Sequence, residues 1–276
     1  VRQLVASRVK AQGAGDPFTL DSLILPLIGE VNAAWMGCPG DLLDAACKAL
    51  VFSTSPQNGH AMPPELARLV ADLRDTGLLR RLIDQQLLDP TDAAAFIFGT
   101  AVRTYMLSMI VPNALGVAAR SPPVLDRLRA DPAAIPRFLL EALRLTPNWV
   151  AVKRICAAPL TVGGRDIPPN AMVDVLVGVA NRDPAAYAQP DLCMLDRPGP
   201  PTIMPDPVAA PFLRLEDDAP WPEGSLLLDT ATVVLEALIA GDRPLRIVVA
   251  PTTRLVPWPD GSCVAVSGEM FVALGG

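Results

Sequence analysis

The sequence predicts a mainly α-helical protein with a small β-region, and three observations support this prediction. Apolar residues recur at helical spacing through residues 1–147. After Pro147 the pattern alternates as in strands, and a proline-dense coil completes residues 148–225. A last helix and closing strands occupy residues 226–276. We expect these parts to form a single domain over 1–276, because a chain of 276 residues can enclose one sizeable core.

The helices are predicted from apolar spacing together with caps and breakers. The helix over residues 20–36 stops at the breaker that runs from Gly37 to Gly40. Pro64 opens another helix, since a first-turn residue needs no N–H partner, and Pro112 is expected to kink the central helix. The predicted helices cover residues 1–11, 20–36, 41–52, 64–76, 78–88, 91–119, 121–130, 131 to beyond 144, and 226–240.

The β-region is predicted from alternation and turn residues. Apolar and polar residues alternate from Trp149 onward, and Gly163 with Gly164 marks the turn of a hairpin. A further apolar segment follows, and the chain closes with two strands around a proline-rich turn. The expected segments are 149–155, the hairpin 160–167, the apolar run 172–179, and the closing strands 245–250 and 263–273.

Composition narrows the classes of function. The net charge is −6 and no basic stripe is present, so we expect no nucleic-acid partner. Hydrophobic residues reach 51%, but no uncharged run attains the roughly 18 residues of a membrane span. The chain shows no signal-peptide pattern, and its five cysteines form no CxxC pair. We therefore expect a cytoplasmic protein with reduced thiols and no membrane association.

No motif for ordinary acid–base or nucleophilic chemistry stands out. The lone histidine, His60, is interpreted as a solvated loop residue, with a catalytic base as the alternative. Asp217 and Asp218 are interpreted as solvated loop carboxylates rather than as an acid–base pair. A phosphate-binding loop and an HExxH zinc motif are both absent from the sequence. We therefore predict no catalytic residue and no metal site.

Several motifs follow one another in a distinctive order. A Glu-x-x-Arg pair at Glu141 and Arg144 precedes Arg154, an Ala-Asn-Arg-Asp-Pro stretch over 180–184 and an Asp-Arg-Pro stretch over 196–198. This order closely resembles that of bacterial cytochromes P450. The resemblance implies a cytochrome P450-like fold that is N-terminally truncated or incomplete, because family members carry a long segment ahead of the part matched here.

The resemblance also implies structural roles for four residues. In the family the Glu-x-x-Arg pair bonds to an arginine of an irregular coil, the meander, which implies a structural triad of Glu141, Arg144 and Arg197. A buried Arg–carboxylate cluster can fix a coil whose backbone groups lack partners of their own. Arg154 matches the family's haem-propionate arginine, and we expect it to persist as a vestigial site at the surface or the edge of the core.

Two parts of the family's chemistry are missing from the sequence. In the family an iron-ligating cysteine follows the meander within a few residues, whereas this chain has no cysteine between Cys193 and Cys263. The family's central helix carries Ala-Gly-x-Asp/Glu-Thr, and the matching stretch over 102–106 is Val-Arg-Thr-Tyr-Met, without an acid beside the threonine. If the old substrate cavity is still in use, Arg103, Thr104 and Tyr105 are the polar side chains that would face it.

Loss of the chemistry with retention of the fold predicts a haem-free protein with no cofactor. The chain resembles the haem-less P450 relatives that activate deoxysugar glycosyltransferases in macrolide and anthracycline antibiotic biosynthesis. That resemblance implies a pseudoenzyme that binds and activates or stabilises a glycosyltransferase in a hetero-oligomer. The alternative is a haem-independent cyclase or isomerase that uses the old cavity. A third hypothesis is a P450 monooxygenase with unusual iron ligation.

Overall fold

The computed structural model describes residues 1–37, 77–87, 104–198, 226–243, 245–250, 253–257 and 263–275. The helices in these ranges are α1 (Arg2–Ala11), α2 (Leu20–Met36), α3 (Leu78–Asp84), α4 (Leu107–Arg120), α5 (Pro122–Ala130), α6 (Ile135–Leu145), α7 (Val177–Ala180) and α8 (Leu226–Ile239). The strands are β1 (Phe18–Thr19), β2 (Trp149–Ile155), β3 (Leu160–Val162), β4 (Arg165–Ile167), β5 (Met172–Val175), β6 (Leu245–Val249), β7 (Thr253–Pro257), β8 (Cys263–Ser267) and β9 (Phe271–Leu274). The predicted class, mainly α with a small β-region, is confirmed.

Helix α4 lies in the middle of the core and is buried along most of its length. Helices α2, α6 and α8 pack around it. Leu27, Phe138 and Leu235, one from each of these three helices, are fully buried. Full burial of such a side chain contributes about 1.5–3 kcal/mol. The apolar spacing of the sequence therefore becomes a set of helix faces that share one core.

Helix α2 has the bounds that its sequence predicts. The hydroxyl of Ser22 donates to the Thr19 carbonyl at 2.7 Å in the first turn. The helix ends at Gly37, whose φ of 77° lies in the left-handed region that favours glycine. A Cβ atom at Gly37 would collide with the Cα atom of Gly77, so this helix end admits only glycine without rearrangement.

The central helix is interrupted, which corrects the continuous helix predicted over 91–119. The chain makes a turn at Met106, and α4 begins at the next residue. The Tyr105 carbonyl accepts from the Ser108 hydroxyl at 2.8 Å, while the Met109 N–H bonds to the Met106 carbonyl at 3.0 Å. Because that N–H no longer reaches the residue four positions back, the regular ladder is broken there.

The other predicted helices are kept, shortened or outside the described residues. Pro112 lies inside α4, and although it removes one donor from the ladder, the helix continues to Arg120. Helix α3 ends at Asp84, four residues before the predicted end. The helices predicted over 41–52 and 64–76 and the first part of 91–119 lie outside the described residues, as does the loop with His60. None of the helices in the described ranges combines the length and the apolar character needed to cross a membrane.

The described strands form three antiparallel sheets. One sheet has the order β1-β9-β6, a second has the order β5-β2-β8-β7, and β3 pairs with β4 alone. Gly163 and Gly164 supply the positive φ values, 57° and 75°, at the β3–β4 turn. Strand β2 follows α6 in the chain, and its Trp149 and Val152 side chains are buried in the same core as the helices.

The closing strands correct the sequence prediction in two ways. Strand β7 lies where a proline-rich turn was expected, and the predicted strand 263–273 divides into β8 and β9, which belong to different sheets. Strand β7 is an edge strand that ends in Pro257, a position where a missing N–H costs no ladder bond. Pro257 therefore lies at the end of a strand.

Candidate functional site: the arginine–carboxylate network

Glu141 and Arg144 lie one turn apart on the buried side of α6. Residues three apart on a helix are neighbours, so the two side chains can meet without distorting the backbone. Phe138 and Ala142 are fully buried on the same helix and anchor this side of it in the core. The Glu141 side chain is only 7% exposed and that of Arg144 only 2%.

The structure brings together the three residues of the expected triad. Arg144 donates from Nε to Glu141 Oε2 at 2.8 Å and from Nη2 to Oε1 at 2.9 Å. Arg197 donates from Nε to Glu141 Oε1 at 2.9 Å, and the backbone N–H of Met194 donates to the same oxygen at 3.0 Å. The carboxylate thus accepts four charge-assisted hydrogen bonds, and the two from Arg197 and Met194 join the helix to the coil.

The two guanidinium groups also hold the backbone of the meander, here residues 181–198. Arg144 donates to three carbonyl oxygens at 2.6–3.1 Å, and Arg197 donates to three as well. The accepting carbonyls belong to Asn181, Ala188, Gln189, Pro190 and Leu192. Since this coil has no strand or helix ladder to satisfy those oxygens, the arginines perform that task.

The electrostatics favour an ionised Glu141. Burial opposes its charge, but hydrogen bonds from Arg144, the Met194 N–H and Arg197 together hold its pKa below the ordinary value. The Arg144 guanidinium also lies 5.1 Å from the ring centroid of Tyr187, a buried residue whose pKa is raised by that burial. The arrangement is an ionic network in which the charges of Glu141, Arg144 and Arg197 are all paired.

Two further arginines tie the meander to the helices from the outside. Arg182 pairs with Asp191 and donates from Nη2 to the Leu145 carbonyl at 2.8 Å. Arg127 on α5 holds Asp196 through two bonds of 2.6 and 3.1 Å, and this hydrogen bonding keeps the pKa of Asp196 below its ordinary value. Both ion pairs are solvent-exposed, so they contribute less than the buried network.

Cys193 does not fit the role of a haem thiolate. It precedes Arg197 in the meander, and burial, with the Glu141 charge adding to it, raises the pKa of its thiol to about 11. The segment over 199–225 contains neither cysteine nor histidine. Among the described residues, no group of three or more His, Cys, Asp or Glu side chains is placed to hold a metal ion.

The stretch matched to the oxygen-activating motif is engaged in packing. Thr104 is buried and accepts a hydrogen bond of 2.7 Å from the amide nitrogen of Asn32 on α2. The Oδ1 atom of Asn32 is buried without a hydrogen-bond partner. Tyr105 is half-buried, and Arg103 lies outside the described residues. The Thr104 hydroxyl therefore links two helices, and this contact does not favour the alternative in which it faces a substrate.

Arg154 lies apart from the network, on the exposed end of β2. Its guanidinium donates to the Lys153 carbonyl at 3.0 Å, and no ion pair of Arg154 occurs within the described part of the chain. Lys153 pairs instead with Asp174 on β5 at 2.7 Å. Arg154 is thus a cation at the surface, as expected. The ion pair expected of it is not seen among the described residues.

Sequence reasoning missed the partners of the network. The five carbonyl acceptors and the Tyr187 ring carry no motif, since any residue supplies a carbonyl oxygen. Asn32 was missed as well, although an amide within the apolar face of a predicted helix is a signal for a buried hydrogen bond.

Two curated proteins are similar in sequence to most of this chain. Protein AknT of Streptomyces galilaeus is 42% identical over 219 residues, which cover 69% of this chain and 49% of AknT. Cytochrome P450 55A3 of Fusarium lichenicola is 28% identical over 208 residues, covering 68% of this chain and 50% of the relative. The chain spans about half the length of these two curated relatives. No protein-family model matches it.

The solved structures define the fold. P450BioI, crystallised with a fatty-acyl carrier protein, superposes with a TM-score of 0.72 at 19% identity, covering 99% of this chain and 74% of that chain. The fold and the Glu141–Arg144–Arg197 network together define a P450-fold protein. With the curated relatives, they show that the chain belongs to the cytochrome P450 superfamily.

Proposed function

We propose that this chain is a haem-free, cytoplasmic auxiliary protein that binds and activates or stabilises a glycosyltransferase of antibiotic biosynthesis. The observation that carries the proposal is a contrast inside the P450 fold. The network of Glu141, Arg144 and Arg197 is complete. No cysteine follows the meander where the thiolate belongs, and Thr104 has no acid beside it.

Sequence similarity supports the same assignment. The 42% identity with AknT exceeds the 28% identity with cytochrome P450 55A3 over a similar length. The motif order also resembles that of haem-less P450 relatives that activate deoxysugar glycosyltransferases. We therefore take the partner to be a glycosyltransferase and the role of this chain to be binding, with no turnover of its own.

A binding role is sufficient in energetic terms. A protein that binds only the folded, active state of its partner stabilises that state by about 2.7 kcal/mol when its free concentration is 100 times Kd. That free energy converts a minor active population into the major one. No chemistry by the auxiliary chain is needed for this effect.

Co-expression with a deoxysugar glycosyltransferase, chosen from the gene neighbourhood of this chain where that neighbourhood holds one, tests the proposal. We expect the transferase to gain soluble activity and to co-purify with the chain, whereas co-expression with a thiolate-ligated P450 has no such effect. The chain purified from cells supplied with haem should show no Soret band. A stoichiometric Soret band would refute the haem-free role, and unchanged transferase activity would refute the activator role. Substrate turnover by the chain alone would instead support the cyclase or isomerase alternative.

A further inference from the structure

The four-stranded sheet has an open edge at β5. Strand β5 pairs with β2 on one side, and no described strand lies on its other side. An outer row of backbone N–H and C=O groups is a template on which another extended chain can pair. Natural edge strands are commonly blunted by lysine or proline, but β5 has the sequence Met-Val-Asp-Val.

Exposed apolar side chains gather around this edge. Of the 15 large hydrophobic residues that are exposed in the described ranges, seven lie between residues 155 and 179. Ile155 and Met172 are 70% and 67% exposed and lie directly opposite each other across β2 and β5. Val175 at the end of β5 and Val179 on α7 are also exposed. We call Ile155, Met172, Val175, Val179 and the outer side of β5 the edge surface.

The charge beside this edge is positive, and no carboxylate of the described residues pairs with it. Arg154 is exposed, and within the described ranges it bonds to the Lys153 carbonyl alone, although the chain as a whole carries a net charge of −6. It lies opposite Val173, on the face of the sheet that does not carry Ile155 and Met172. The one carboxylate of β5, Asp174, is already paired with Lys153. A partner that covers this edge therefore needs a carboxylate to neutralise Arg154.

Strand geometry specifies where that carboxylate would sit. A strand added to β5 would lie about 10 Å from β2, which an arginine and an acidic side chain can span together. Successive residues of a strand point to opposite faces. In the added strand, the residue beside Met172 would be apolar. The next residue of that strand would point to the other face, towards Arg154, and would be acidic.

From these contacts we infer that the edge surface is the docking site for an extended, acidic segment of the partner glycosyltransferase, which adds to the sheet as a strand beside β5. The inference rests on the proposed function and names the surface and the partner chemistry. Backbone pairing supplies affinity in such strand addition, while the apolar and acidic side chains supply specificity.

The other edge of the same sheet provides a matched control. Leu255 on β7 is 63% exposed, which is comparable to Met172. The full chain and the co-expressed transferase are compared as wild type, Met172→Lys, Leu255→Lys, Arg154→Glu and Arg154→Lys. All four substitutions are at exposed positions, so thermal unfolding should be unchanged, and this is measured first.

We expect Met172→Lys and Arg154→Glu each to weaken transferase binding about tenfold or more, and Leu255→Lys and Arg154→Lys to bind nearly as wild type. Hydrogen exchange of the complex should show protection of the β5 amides that the free chain lacks. The Arg154→Glu loss should shrink at high salt, because the contact it removes is electrostatic.

Three outcomes would overturn the inference while the activator role survives. They are wild-type binding by Met172→Lys, an equal loss for Leu255→Lys, and a complex without protection of β5. A change of Met172→Lys from dimer to monomer with unchanged transferase binding would assign the edge to a second copy of this chain. If wild type forms no complex at all, the proposed function fails and this inference fails with it.

Discussion

Two buried polar regions of this molecule differ in how fully their polar groups are paired. The network around Glu141 joins α6 to the meander with every charge paired and each guanidinium on backbone oxygens. At the start of the central helix, Thr104 and Asn32 share one neutral hydrogen bond and leave the Asn32 Oδ1 atom without a partner. The first region holds the meander to α6, whereas the second is a single neutral contact between α2 and Thr104. The ionic region therefore fixes a long stretch of coil, while the neutral region contributes one local link.

The largest expected effect breaks the first region. Glu141→Gln removes the charge that pairs with Arg144 and Arg197 and leaves two buried guanidinium groups uncompensated. We expect a loss of about 3–5 kcal/mol in the free energy of unfolding, measured by urea denaturation. Asp191→Asn in the same meander is the matched control, because its partner Arg182 is exposed, and we expect a loss below about 1 kcal/mol. Equal losses would show that the network is not the principal lock.

A smaller effect is expected in the second region. Thr104→Val removes the acceptor of the Asn32 amide and should cost about 1–3 kcal/mol, because a buried donor is left unsatisfied. The double variant with Asn32→Leu should recover most of that loss, since both polar groups are then replaced. A double-mutant cycle in urea measures the coupling. Strictly additive losses would contradict a direct link between the two residues.

Acid should act mainly on the first region. The folded-state pKa of Glu141 lies below its ordinary value, so its contribution is present above the unfolded-state pKa of about 4.3 and is lost as the pH falls through the folded value. Urea midpoints between about pH 6 and pH 3 should fall more steeply for wild type than for Glu141→Gln. Parallel curves would place the acid sensitivity elsewhere.

The smallest effect concerns the outer anchor of the meander. Asp196 bonds to Arg127 through two hydrogen bonds, but both side chains are largely in solvent. Solvent screening leaves little net stabilisation in such a pair. Asp196→Asn should leave the Tm within error of wild type at physiological salt. A clear drop in Tm would mean that the meander depends on its exposed anchors as well as on the buried ones.

The sequence predicted the local parts of this structure well. The bounds of α2, β2 and the β3–β4 hairpin follow from apolar spacing and from Gly37, Gly163 and Gly164. The meeting of Glu141 with Arg144 follows from helix geometry alone. The role of Arg197 was predicted only from the resemblance to cytochromes P450, because nothing in local spacing relates it to Glu141, 56 positions earlier.

What the sequence missed depends on long-range contacts. The assignment of β8 and β9 to different sheets is fixed by their pairing with β2 and β6, which alternation cannot reveal. The break at Met106 arises because the Ser108 hydroxyl competes for the Tyr105 carbonyl. The link from Asn32 to Thr104 spans 72 positions, and neither residue forms a motif with its neighbours.

The choice of backbone oxygens as partners has a consequence for how the meander can evolve. Arg144 and Arg197 contact carbonyls of residues 181–192, and a carbonyl is the same chemical group whatever side chain its residue carries. Substitutions at coil residues that contribute only a carbonyl can therefore accumulate without loosening these contacts, provided that the length and path of the coil are kept. An insertion or deletion shifts every acceptor at once. We therefore expect the residues of this coil to vary more than its length.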